Sequence, residues 1–235
     1  MHKIEVPAHI EERSRILRGA RPDLFGPIDP ARTAHIVVDL QNGFMREGAP
    51  VEVPSARAIV GNVNRISATL REAGGLVVYL RYTTDPDEPQ SWSTWYDKIL
   101  SPERAEEQRT AFEVGAHDHD LYPELDVQPV DQIVDKTRFS AFVPGTCNLP
   151  DLLQAKGIET VIITGTLTNV CCESTARDAN QRNYQVIFVT DGNATHTDAE
   201  HNATLCNMGT IFADLRTTAE VCQMVQVPAL MEPAE

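Results

Sequence analysis

The stretch from Ile158 to Ala179 leaves this chain few ways to fold. Its opening, Ile158-Glu159-Thr160-Val161-Ile162-Ile163, is a short β-branched apolar run that reads as a buried parallel strand. A turn rich in Gly and Thr follows, and then a segment with helical spacing. Cys172, Ala176 and Ala179 fall at i, i+4 and i+7, a narrow face of small residues suited to close packing on a sheet. Cys171 lies off that face in the first turn, where free N–H groups and the helix dipole favour a thiolate. A strand, a tight turn and a cysteine opening a helix is the layout of a nucleophile site. Free cysteines are also among the most buried residues, and that plainer role is assigned to Cys172.

Length and charge narrow the classes of function. The chain has 235 residues, 42% of them hydrophobic, which suits one α/β domain rather than two. No apolar run reaches membrane-spanning length, and the first residues, Met1 to Pro7, lack the apolar core of a signal peptide. The net charge of -14, spread along the chain, argues against nucleic acid and anionic membrane as partners and leaves a small-molecule substrate. The five cysteines form no C-x-x-C pair, so reduced thiols in a cytoplasmic protein are expected.

Taken in order, residues 1–33 read as a polar arm with one short helix near Ile10–Leu17, lying on the domain or on a neighbouring subunit. Residues 34–228 read as the domain itself. Ala34 to Leu40 is the first strand, with Asp39 at its carboxyl end. Ile59, Val63, Ile66 and Leu70 mark an amphipathic helix that Gly74-Gly75 stops. Leu76 to Tyr82 is the second strand. The segment from Thr83 to about Gly115 reads as a long loop whose Trp92, Trp95 and Tyr96 either floor a pocket or meet another subunit. Asp131 to Lys136 is a third strand, and a helix follows from Pro150 to Lys156. Tyr184 to Thr190 and Ala213 to Thr217 are further strands, with helices from Asp198 to Phe212 and after Thr218 as N-cap. Strand and helix alternate throughout. The fold class is therefore α/β, a three-layer α/β/α arrangement around a mainly parallel, roughly six-stranded Rossmann-like sheet. Right-handed crossovers bring all strand carboxyl ends to one edge, and Asp39, Lys136 and Cys171 each sit at such an end.

Three motifs occur in order: Val37-Val38-Asp39-Leu40-Gln41-Asn42, then Asp135-Lys136 with Ser140-Ala141-Phe142, then Thr164-Gly165-Thr166-Leu167-Thr168-Asn169-Val170-Cys171 running on to Ala179. In these the chain resembles the isochorismatase-like cysteine hydrolase superfamily over roughly His35 to Val225, most closely the branch of ureidoacrylate and N-carbamoylsarcosine amidohydrolases. The resemblance implies a catalytic triad of Asp39, Lys136 and Cys171 and a cis peptide between Leu167 and Thr168. It also implies an oxyanion hole from the N–H groups of Thr168 and Cys171, and assembly as a homo-oligomer, dimer or tetramer. The expected reaction is hydrolysis of a C–N bond in a small amide, ureide or carbamoyl compound through a thioester, with a thiol pKa lowered by the helix terminus and Lys136. Asn42, Phe44, Tyr82, Trp92, Trp95, Arg138, Phe139 and Phe142 are the candidate substrate-binding residues, Arg138 for a carboxylate. Nicotinamidases in the superfamily carry an Asp-x-His metal motif where this chain has Leu80-Arg81-Tyr82-Thr83-Thr84-Asp85, so neither a metal nor another cofactor is expected. Three alternatives stay open: a Cys-His-Asp triad using His196 or His201, a vinyl ether hydrolase of isochorismatase type, and a catalytically silent binding protein on the same fold.

Overall fold

Six apolar runs form one sheet in which every neighbouring pair is parallel. The strands are β1 (Thr33–Val38), β2 (Leu76–Tyr82), β3 (Gln132–Lys136), β4 (Thr160–Thr166), β5 (Gln185–Ala194) and β6 (Asp214–Arg216), in the order β3-β2-β1-β4-β5-β6. The helices are α1 (Ala8–Arg18), α2 (Asn42–Met45), α3 (Val60–Glu72), α4 (Pro102–Ala111), α5 (Leu149–Ala155), α6 (Glu173–Gln181), α7 (Asp198–Asn207) and α8 (Thr218–Gln226). The computed structural model describes residues 1–19, 21, 24–87 and 91–226; the expected domain end at residue 228 lies outside them.

Alternation along each strand feeds two cores. Ile36, Val38, Ile163 and Phe188 point to the side where α5, α6 and α7 pack. Ile162, Ile187 and Val189 face α3 and α8 on the other side, and Val37 joins Val60 and Val63 there. Both faces are covered, as a parallel sheet requires. Cys172, Ala176 and Ala179 are each fully buried, which lets α6 lie close on the sheet.

Some expected boundaries moved. The segment after Thr83 is not a long loop: it holds a π-helical turn at Thr94–Ile99 and then α4. β5 runs past Thr190 to Ala194, because the Asn193 side chain donates to the carbonyls of Ile163 and Val189 and so carries the strand through Asp191-Gly192. The N-cap of α8 is Thr217, whose hydroxyl accepts from the Glu220 N–H, while Thr218 bonds to Asp191.

The arm lies on its own chain. The His2 imidazole bonds Asp198 at 2.7 Å and stacks on His201 with ring centroids 4.5 Å apart, and Arg18 donates to the Ala213 carbonyl at 2.9 Å. His35 sits in the core between the Ser67 and Thr164 hydroxyls, and burial lowers its pKa to about 3. Burial likewise lowers His201 to about 4. An unfolded histidine takes up its proton near pH 6.5. Below that pH the unfolded state therefore binds protons that the folded state refuses, and stability falls as pH drops from 6.5 towards 4. Urea midpoints at pH 7 and pH 5 are expected to show this loss, with a slope of up to about 1.4 kcal/mol per pH unit for each histidine. An unchanged midpoint would contradict it.

Candidate active site

The order β3-β2-β1-β4 places a topological switch point between β1 and β4, where the chain's connections diverge and a crevice opens at the strand carboxyl ends. Asp39 follows β1 there with a left-handed φ of 53°. Its N–H donates to the Leu80 carbonyl at 3.1 Å, so the β1–β2 pairing reaches Asp39. Lys136 is the last residue of β3, two strands away, roughly 10 Å by strand spacing. The lysine stem and the Asp39 side chain reach towards each other across that gap. Lys136 Nζ donates to Asp39 Oδ2 at 2.8 Å and to the Arg138 carbonyl at 3.0 Å, and it lies 5.3 Å from the Tyr82 ring centroid. Both charged side chains are 0% exposed.

Cys171 lies in a π-helical turn, Thr168–Cys172, that runs directly into α6. Asp39 Oδ1 is buried with no hydrogen-bond partner among the described residues, and the Cys171 thiol is near enough to act on its charge. Burial raises the Asp39 carboxyl above its ordinary 3.8 against the pull of Lys136. Burial alone would lower the Lys136 ammonium, but Asp39 and Cys171 hold it above its ordinary 10.5. Burial pushes the Cys171 thiol far above its ordinary 9.0, and Lys136 offsets only part of this. The expected lowering of the thiol pKa is therefore corrected. At 2% exposure the loss of hydration outweighs the pull of the ammonium.

Buried hydrogen bonds fix these three groups. The Gln41 amide donates to the Tyr82 carbonyl and its oxygen accepts the Tyr82 N–H, tying the end of β1 to the end of β2. The Ser140 hydroxyl donates to Asp178 at 2.6 Å, and the Ala141 N–H donates to Thr175, so the loop after Lys136 is fastened to α6. His201 Nε2–H donates to the Thr190 carbonyl, which leaves Nδ1 to accept the Thr168 hydroxyl proton at 2.9 Å. With both ring nitrogens engaged in the interior, His201 has none to offer a substrate.

Cys171 lies on the wall of a cavity of about 200 Å³. Of the expected binding residues, Phe44, Tyr82, Trp95 and Phe139 line it. Trp92 and Arg138 line a neighbouring cavity of about 450 Å³ instead, where the Arg138 guanidinium stacks 4.9 Å from the Trp92 ring centroid. Asn42 lines neither; its amide donates to the His117 carbonyl and secures a loop. Phe142 is 2% exposed and sits in the core, with its ring 5.7 Å from that of Tyr184. Sequence reasoning missed Val51, Gln108, Phe112, Leu167 and Val170 on the cavity wall. Val170, next to Cys171, was open to prediction. Gln108 and Phe112 came from a segment read as loop. His196 also lines the cavity, but among the described residues no carboxylate pairs with it, so it lacks the third member of a Cys-His-Asp triad.

The cis peptide joins Thr166 to Leu167, one bond earlier than expected. The Leu167–Thr168 peptide already opens the π turn, with the Leu167 carbonyl accepting from the N–H groups of Val170 and Cys172. Thr168 is fully buried with its hydroxyl on His201, and Leu167 is the residue that reaches the cavity wall. Among the described residues, no three His, Cys, Asp or Glu side chains gather where they would hold a metal ion, and no helix is long and apolar enough to cross a membrane.

This architecture is matched by known proteins. A family model described as an isochorismatase domain matches residues 33–220. The chain belongs to the isochorismatase family. Its relatives within that family include the ureidoacrylate amidohydrolase RutB of Rhizobium rhizogenes, 32% identical, with 94% of this chain and 95% of the relative covered. RutB of Caulobacter vibrioides is 33% identical over 87% of this chain and 90% of its own. Among solved isochorismatase-like structures, a cysteine hydrolase from Pseudomonas syringae superposes with a TM-score of 0.76 at 30% identity, covering 88% of this chain and 98% of that one. N-Carbamoylsarcosine amidase from Thermoplasma acidophilum gives 0.64 at 27% identity, over 80% and 96%.

Proposed function

We propose that this isochorismatase-family hydrolase is a cysteine-dependent amidohydrolase. It cleaves the C–N bond of a small amide, ureide or carbamoyl compound through a thioester on Cys171. The observation that carries this is the buried Asp39–Lys136 pair, whose free carboxylate oxygen sits beside the thiol on the cavity wall. The names of the relatives support the bond type.

The raised thiol pKa decides the order of events. Cys171 attacks the substrate carbonyl as Asp39 Oδ1 takes its proton, so ionisation and attack coincide. Lys136 keeps its proton throughout and holds Asp39 by the other oxygen. The oxyanion faces the N–H of Cys171 and, from the cavity wall, that of Leu167 in place of Thr168; one such donor contributes about 100- to 1,000-fold in rate. Asp39 returns the proton to the departing nitrogen, and ammonia or an amine leaves. Water then adds to the thioester with Asp39 as base, which releases the acid and restores the thiol.

Because Asp39 must be ionised to accept a proton, the acid limb of kcat/KM is expected above the ordinary carboxylate value of 3.8. A pH–rate profile checks this, and a limb at or below that value would count against Asp39 as the base. The reading as a whole is tested by ammonia release from a panel of amides, ureides and carbamoyl acids. Cys171→Ala is expected to lower release about 10,000-fold or more while the protein still folds. Full activity in that variant would sink the proposal, as would product from an enol ether alone.

A further inference from the structure

The cavity at Cys171 says more about its substrate than the bond to be broken. Its wall is aromatic and aliphatic, with Phe44, Trp95, Phe112, Phe139, Leu167 and Val170 all contributing. Beside the thiol, its polar side chains among the described residues are Tyr82, Gln108 and His196. Two of these are engaged: the Tyr82 hydroxyl bonds Tyr96 at 2.6 Å, and the Gln108 carbonyl oxygen accepts from the Trp95 indole at 3.3 Å. No lysine or arginine lines it, and the residues outside the described ranges contain neither. Lys136 offers no net positive charge either, because Asp39 neutralises it at 2.8 Å. Arg109 and Arg138 line the neighbouring cavity, in the company of Asp85, Asp97 and Glu113. Arg109 stacks on Tyr96 and Arg138 on Trp92, and neither guanidinium lines the cysteine's cavity.

We infer that the substrate of Cys171 is a neutral amide with an aryl or branched alkyl acyl group, and that a carboxylate-bearing amide such as ureidoacrylate is excluded. This rests on the amidohydrolase reading above and deepens it. A carboxylate placed here would lose its water and gain no cation, which for a buried unpaired charge is costly. The volume of about 200 Å³ lies below the roughly 300–1,000 Å³ of drug-sized pockets, so the acyl group is small. Hydrolysis adds one water, releases ammonia from the acyl carbon and leaves the acid as its carboxylate. That product carries the very charge the wall repels, so the cavity that admits the amide expels the acid.

Isocaproamide and succinamate test this, since they differ only by an isopropyl group in place of the carboxylate. Wild-type kcat/KM is expected to favour isocaproamide over succinamate, and over ureidoacrylate, by about 100-fold or more. Gln108→Arg, which puts a cation on the wall, is expected to narrow or reverse that preference. Calorimetric binding of the same pair to Cys171→Ser reads the cavity without turnover. Equal or better use of the anion by wild type overturns the inference and leaves the amidohydrolase reading standing. Tighter binding of isocaproamide with no amide hydrolysed keeps the inference about polarity and removes the reaction. Binding of neither compound, with neither hydrolysed, overturns both.

Discussion

Lys136→Met is expected to abolish turnover and to cost about 3–5 kcal/mol of stability, because it strands a buried carboxylate without its partner. The residue is 0% exposed and supplies the charge that holds Asp39 at 2.8 Å, so no water can substitute for it. Against a total stability of about 5–15 kcal/mol this is a large fraction, and the melting temperature is expected to fall by on the order of 10 °C. The double variant Asp39→Asn with Lys136→Met separates the two effects. With both charges gone most of the stability should return, since a buried ion pair adds little over neutral groups of similar shape, while activity stays lost. Thermal melts and ammonia release measure the two. A single variant as stable as wild type would show that solvent reaches the pair.

Gly165→Ala is the second substitution with a large expected effect. Gly165 has φ 124° and pairs with Val38 across β1 and β4. A Cβ there would stand 2.1 Å from the Val38 carbonyl oxygen and 2.7 Å from its nitrogen. Those are backbone atoms in the middle of the sheet and cannot swing aside as a side chain would. The strands must part next to Asp39, so a loss on the order of 4 kcal/mol or a failure to fold is expected. Soluble protein that does form should show kcat reduced more than stability predicts, because the carboxylate is displaced from the thiol. A wild-type urea midpoint with wild-type kcat would contradict the argument.

The sheet was legible because its strands are β-branched runs and its helices carry apolar residues at regular spacing. That Asp39, Lys136 and Cys171 would meet was legible because each lies at or just after the carboxyl end of a strand, and right-handed connections bring those ends together. Helix α4 was not. Its sequence, Pro102 to Ala111, buries only Ala105 and Ala111, so it shows no apolar stripe. The Ser101 cap, which accepts the Arg104 N–H, and Pro102 in the first turn were the signals available. Reading that segment as loop also hid Gln108 and Phe112. The aromatic and cationic candidates divided for a different reason. Phe139 and Arg138 are neighbours in sequence but line different cavities, and sequence spacing outside helices and strands does not say which way a side chain turns. The thiol pKa was misjudged because charge is visible in sequence and depth of burial is not.

That depth has a consequence for oxidative chemistry. Peroxides react with thiolates that solvent can reach. Cys171, with burial raising its pKa, presents little of the thiolate that sulfenic acid formation needs. On the mechanism proposed above, a thiol that ionises only as it meets a carbonyl is spared between turnovers.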